Sequence, residues 1–329
     1  MPRSLKQSLR LISLALIVAV STVLVGGCGG SKPSAGSGSQ GGSQNKKPVI
    51  GLSISTLSFP WQKFLTDTSV KEIEKMGGEA IVLDAQGKVD KQTSDIEDLI
   101  TRKVDAILLN AIDGKAVAPA VAEANRAGIP VIATARRVEG AEMTQFVACD
   151  NIKGGQLAAK IIAEKINGKG KVALIEGTPG SSSTTDRTTG FKQGIAQYPG
   201  ITLVYQRPGN YKRDQALNLT EDLLQAHPDI AGIFYENDDM AIGGLQAIEA
   251  AGKLHKVVVV GYDGIKEGLE NIKAGRLDAT IYNDAISIAQ ISVDSAFKVI
   301  RGEKVDSYVS PPMPVITKDN VDQFLKIYQ

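Results

Sequence analysis

Ala106-Ile107-Leu108-Leu109, an amphipathic stretch from Val117 to Ala127, then Gly128-Ile129-Pro130-Val131-Ile132-Ala133: this segment decides the architecture. A short, unbroken apolar run is what a parallel strand looks like when helices cover both faces of its sheet. The amphipathic stretch that follows is helical in pattern, and Gly128 with the Ile129-Pro130 pair closes it. A second apolar run then begins, so the unit is β-α-β. Working outward, the same kind of run recurs at Val49 to Ile54 and Ala80 to Leu83 on one side. On the other side it recurs at Lys171 to Ile175, Thr202 to Val204, Gly232 to Tyr235, Val257 to Val260 and Ala279 to Tyr282. Amphipathic stretches at Ile152 to Ile166, Leu217 to Ala226 and Ala285 to Ile300 lie between or after them. The alternation predicts an α/β protein with doubly wound parallel sheets. One barrel and two open sheets both satisfy the periodicity, and both put functional loops after the carboxyl ends of strands.

The N-terminus reads separately. A basic stretch to Arg10 precedes Leu11 to Val25, which carries no charge, and Val25-Gly26-Gly27-Cys28 follows. This is the pattern of a secretory signal, too short to span a bilayer, which takes about 20 apolar residues. The cysteine after a small pair resembles a bacterial lipobox, which implies a signal over 1–27 and lipidation at Cys28. From Gly29 to Lys47 the chain holds glycine, serine, glutamine and a few lysines with no branched aliphatic side chain, so 28–47 reads as anchor plus tether. The expected location is extracytoplasmic, on a bacterial membrane. Net charge is +1, and Arg3, Lys6 and Arg10 supply three of the positive charges, so the remainder is mildly acidic and no nucleic-acid surface is expected.

Catalytic apparatus does not stand out. Gly177-Thr178-Pro179-Gly180-Ser181-Ser182-Ser183 lacks the Gly-Lys-Ser/Thr of a P-loop, and no G-x-G-x-x-G opens a helix after the first strand. His227 and His255 sit in polar surroundings, and Cys149 reads as a small buried residue. Asp238-Asp239 at a helix start reads as a cap and dipole contact in preference to a metal pair. Two cysteines and two histidines are too few for a Cys-rich zinc site. No metal or cofactor is expected. What the strand ends do carry is a set of hydrogen-bonding side chains and flat aromatics: Trp61, Gln62, Arg136, Arg187, Tyr211, Asn237, Asp263 and Asn283. A hydroxylated ring asks for this combination, because desolvated hydroxyls need donors and acceptors while C–H faces lie on aromatic planes.

Ser55-Thr56-Leu57-Ser58-Phe59-Pro60-Trp61, Thr134-Ala135-Arg136, Asp150-Asn151-Ile152-Lys153-Gly154-Gly155, Glu236-Asn237-Asp238-Asp239-Met240-Ala241 and Gly261-Tyr262-Asp263-Gly264 resemble the periplasmic ribose-binding protein family. The resemblance implies two doubly wound lobes joined by three chain crossings, the type I periplasmic binding protein fold. The lobes would be 48–149 plus 284–311 and 150–283 plus 312–329. It implies a monomeric receptor that delivers a monosaccharide, polyol or sugar acid to an ABC permease. Arg136, Arg187, Asn237, Asp263 and Asn283 would meet hydroxyls, and Trp61 and Tyr211 would cover the faces of the ring. Phe59 and Gln62 are placed in the same site. Phe59 stands where the family has asparagine, Ala135 where it has aspartate, and Asn283 where it has glutamine. The third shortens the side chain by one methylene; the first two imply a site more apolar and more positive than a ribose site, hence a ligand other than ribose. Two other functions share the sequence features: a sensory partner of a histidine kinase or chemoreceptor, and a carbohydrate hydrolase using Asp263 with Asp239. Hydrolysis needs two carboxyl groups across the scissile bond, and Asp263 alone is well placed. A repressor of the same fold would open on a helix-turn-helix instead.

Overall fold

Two six-stranded sheets divide the chain, and a computed structural model describes them over residues 47–328. The first half opens with β1 (Val49–Ile54), α1 (Pro60–Lys75), β2 (Glu79–Asp84), α2 (Val89–Thr101) and β3 (Ala106–Asn110). It continues through α3 (Ala118–Arg126), β4 (Val131–Thr134) and β5 (Gln145–Val147). The second half runs α4 (Asn151–Lys165), β6 (Lys169–Glu176), α5 (Ser182–Ile195), β7 (Gly200–Pro208), α6 (Arg213–Ala226) and β8 (Ile230–Tyr235). Then come α7 (Asp238–Ala250), β9 (Val258–Asp263), α8 (Lys266–Lys273) and β10 (Ala279–Tyr282). The closing segments are α9 (Ala285–Ile300), β11 (Tyr308–Val309), β12 (Val315–Ile316) and α10 (Val321–Leu325).

The strand orders are β2-β1-β3-β4-β5-β11 and β7-β6-β8-β9-β10-β12. Every pairing is parallel except β10 with β12. The open order settles the choice between barrel and two sheets in favour of two lobes. Alternation along each strand feeds two half-cores. Ala106 and Leu108 of β3 join Ile50, Leu52 and the α9 residues Ile288 and Val293, while Ile107 and Leu109 join Val121 and Ala124 of α3. The second sheet is likewise buried between a cluster around Phe191, Phe234 and Ala158 and another around Tyr235, Leu223 and Leu245.

Three passages connect the sheets: between β5 and α4, between β10 and α9, and between β11 and β12. Each carries a group held by a hydrogen bond. Asn151 accepts Arg187 Nε at 2.8 Å, the Asn283 carbonyl accepts Trp61 Nε1 at 2.8 Å, and the Met313 sulfur accepts Tyr262 OH at 3.0 Å. The lobes also touch directly. Arg137 pairs with Asp186, its backbone N–H donates to Ser182 Oγ at 2.9 Å, and Phe64 packs on Tyr328 at 5.2 Å between ring centroids. The conformation is therefore a closed one.

Residues 1–46, including Cys28 and most of the tether, lie outside the described part. Among the described residues no helix is long and apolar enough to cross a membrane.

Candidate functional site

The site is built where both sheets end. In a doubly wound sheet the carboxyl ends of the strands face a crevice beside the point where the strand order reverses, and here two such edges face one another. Trp61 and Gln62 lie in the first turn of α1, which Pro60 starts. Ala135 and Arg136 follow β4, Tyr211 follows β7, Asn237 caps α7, Asp263 ends β9, and Asn283 follows β10. Together with Ser183 and Arg187 of α5 they line one polar cavity between the facing strand ends.

Arg187 is held from several sides. Its Nε donates to Asn151, Nη1 donates to the Glu236 carbonyl, Nη2 lies 3.9 Å from Asp263, and the guanidinium stacks over Tyr262 at 3.5 Å from the ring centroid. Burial opposes its charge, but the Tyr262 and Tyr211 rings, Asp263 and Glu236 outweigh that and hold its pKa above the ordinary arginine value. Asp263 accepts Asn283 Nδ2 at 3.1 Å, and burial pushes its carboxyl up to about 6 against the pull of Arg187, Asn283 and Arg136. Arg136 donates Nη1 to the Ala111 carbonyl at 3.2 Å and lies over Tyr211 at 5.4 Å. Burial lowers its pKa. The Asn237 carboxamide oxygen accepts Met240 N–H at 2.9 Å as a helix cap, which leaves its NH2 for the cavity.

Tyr211 closes one wall. Its hydroxyl bonds Thr184 Oγ1 at 2.8 Å and Ser183 Oγ at 3.1 Å, so the ring face is what it offers. Room for that ring comes from Gly177, where a Cβ would stand 2.0 Å from it. Three wall residues carry positive φ: Ala135 at 62°, Tyr211 at 59° and Asp263 at 114°. Non-glycine residues adopt such angles at a cost of order 1 to 3 kcal/mol each, and they cluster at ligand clamps.

Eight of the nine sequence-predicted positions thus converge on one cavity. Phe59 does not line it. As N-cap residue of α1 its half-buried ring stands edge-on behind Tyr211 at 6.1 Å, because the helix that starts at Pro60 turns Trp61 and Gln62 inward instead. Ser183 is the wall residue that sequence reasoning passed over. It sits one helical turn before Arg187, and that i, i+4 spacing after a strand was the available signal. Asp238 and Asp239 lie in the first turn of α7, where the dipole favours them, but Asn237 is the cap and Asp238 is buried. It accepts the N–H groups of Gly264 at 2.7 Å and Ile265 at 3.0 Å and the Thr280 hydroxyl at 2.7 Å. Asp239 pairs with Arg213 away from the cavity, so the second carboxylate a hydrolase needs is not beside Asp263. Among the described residues no cluster of His, Cys, Asp or Glu could hold a metal.

Known proteins match this architecture. The model of the periplasmic binding protein domain matches residues 50–304. The ribose import binding protein of Bacillus subtilis is 38% identical over 93% of this chain and 99% of its own, and that of Escherichia coli is 37% identical over 83% and 91%. Among solved structures, an ABC transporter solute-binding protein of Bacillus halodurans with bound myo-inositol superposes with a TM-score of 0.82. It is 32% identical, over 86% of this chain and 99% of that one. A counterpart from Actinobacillus succinogenes with bound D-allose gives 0.80 at 34% identity, over 84% and 100%. With two parallel-sheet lobes, three passages between them and a polar cavity at their facing strand ends, this chain belongs to the periplasmic sugar-binding protein family, the non-enzymatic solute-binding proteins of ABC transporters.

Proposed function

We propose that the protein is a lipid-anchored, monomeric receptor that closes over one monosaccharide-sized polyhydroxy ligand and presents it to an ABC permease. The observation that carries this reading is the cavity itself, walled by Trp61 and Tyr211 and furnished with Gln62, Arg136, Arg187, Asn237, Asp263 and Asn283 from both lobes. Contacts from both sides give the closed form an affinity the open form lacks, which is what a ligand-driven population shift requires. The lobes are taken as 48–149 plus 284–311 and 150–283 plus 312–329. Relatives bind ribose, allose and myo-inositol by name, yet Ala135 and Phe59 leave this site without an acid and an amide that would serve a pentose. Ribose itself is therefore not the expected ligand.

Mass spectrometry of the small molecule that copurifies with the protein, followed by thermal-shift screening of pentoses, hexoses, polyols and sugar acids, tests the reading. A polyhydroxy compound that raises the melting temperature is expected; chemical alteration of it on incubation would favour an enzyme. The anchor is tested by Cys28→Ala, which is expected to move the protein from the membrane fraction to the soluble one, since a diacylated cysteine supplies the two chains stable anchoring takes.

A further inference from the structure

Charge is unevenly matched in the cavity. Two guanidinium groups face it, and Asp263 is the one acidic residue in its wall. Asp263 is already engaged by Asn283 and lies on the Arg187 side, 3.9 Å from Nη2. Arg136 is 5% exposed and, among the described residues, has no ion-pair partner; its polar contact is the single hydrogen bond to the Ala111 carbonyl. A guanidinium carries five N–H donors, so most of its capacity is unspent inside the closed protein. A buried charge without an ion-pair contact of its own is costly and is expected to find one in whatever fills the space.

A second observation lies on the other side of Arg136. The same side chain borders an adjoining interlobe pocket of about 350 Å³. Thr56, Ser58, Thr178, Asn210 and Lys212 contribute hydrogen-bonding groups to that pocket, and among the described residues that line it none is acidic. Arg136 and Lys212 make it a place for negative charge next to a place for hydroxyls.

We propose that the ligand is an anionic polyhydroxy compound, a sugar acid, whose carboxylate seats on Arg136 toward the Lys212 pocket while its hydroxyls meet Arg187, Asn237 and Asp263. A carboxylate matches the planar fork of arginine in a bidentate pair, which a hydroxyl does not. The neutral methyl of Ala135 next to Arg136 leaves the fork free for it. The proposal rests on the solute-receptor reading above and narrows its ligand class.

Titration calorimetry on the purified protein with matched pairs tests it: D-ribonate against D-ribose, D-erythronate against erythritol, and D-galacturonate against D-galactose. At least one acid is expected to bind ten times more tightly or better than its neutral partner. Arg136→Gln is expected to abolish that preference, and Ala135→Asp, which supplies an internal carboxylate at a backbone angle aspartate tolerates, is expected to reverse it. Neutral compounds binding as tightly as the acids would overturn the anionic reading and leave the receptor reading standing. An acid preference that survives Arg136→Gln would overturn the assignment of the seat. Failure of all six probes, with a copurifying molecule that is not polyhydroxylated, would overturn both readings.

Discussion

Asp263 combines a backbone angle suited to glycine with a buried carboxylate, and both are unfavourable in the empty protein. The angle persists because Asp238 grips the next two N–H groups and Asn283 holds the carboxylate. Asp263→Gly removes the strain and the buried charge together, and is expected to raise the ligand-free melting temperature by about 2 to 4 °C for each kcal/mol released. The same change is expected to weaken ligand binding at least tenfold in calorimetry. A lower ligand-free melting temperature would mean that the contacts of Asp263 outweigh its strain. The sequence made Asp263 and Arg136 legible as site positions, because each stands at the end of a buried apolar run. The strain at Asp263 was not legible, because the Asp238 carboxylate that grips the next two N–H groups is distant in sequence.

Helices α4 and α5 set the position of Arg187. They meet backbone to backbone: a Cβ on Gly190 would stand 1.9 Å from the Ile152 carbonyl oxygen, and one on Gly155 2.2 Å from that of Arg187. This contact brings Asn151, at the start of α4, within hydrogen-bonding distance of the Arg187 guanidinium. Gly190→Ala is expected to cost about 1 to 3 kcal/mol by overpacking and, by moving α5 off α4, to weaken ligand binding as well. Thermal denaturation alongside calorimetry checks both, and a variant stable as wild type would show that the helices can separate freely. Long, strongly patterned elements such as β1, α4 and α9 were readable in advance. Strands β5, β11 and β12, of three, two and two residues, were not, since so short a run has no period.

At the scale of the whole molecule, closure and pH are coupled to the same cleft. Ligand is expected to shrink the radius of gyration in small-angle scattering, and Asp186→Ala, which removes the rim pair with Arg137, is expected to raise Kd about two- to fivefold, as suits a half-exposed pair worth up to about 1 kcal/mol. An unchanged radius at saturation would argue for a site that needs no hinge. Beneath the cleft, Thr188 Oγ1 lies 2.8 Å from Glu236 Oε1 and 2.9 Å from Glu176 Oε1. One hydroxyl proton serves only one of these, so the other contact needs a proton on a carboxyl group. Burial pushes Glu236 up to about 8, against the pull of Gly177 N–H, Thr188 and Arg187, with Glu176 adding to the rise. The folded protein therefore holds a proton that the unfolded chain gives up near the ordinary glutamate value of 4.5. Stability from this group is fullest below about pH 4 and falls as pH rises to about 8, at about 1.4 kcal/mol per unit. Glu236→Gln is expected to flatten the wild-type decline of melting temperature between pH 5 and 8; a parallel decline in both proteins would place the proton elsewhere.

The threefold passage of the chain between sheets bears on how the protein comes into being. The first sheet takes its covering helix α9 and its edge strand β11 from residues 285–309, long after β1 to β5 have been made. Ile288, Ala289 and Val293 of α9 seal the face formed by Ile50, Leu52 and Leu108. During synthesis that face has no covering helix of its own lobe until α9, at 285–300, has been made. The earliest-made lobe thus waits for a helix and a strand made after β6 to β10 of the second sheet, and that sheet is closed in turn by β12, so neither is complete until residues 308–316 have been made.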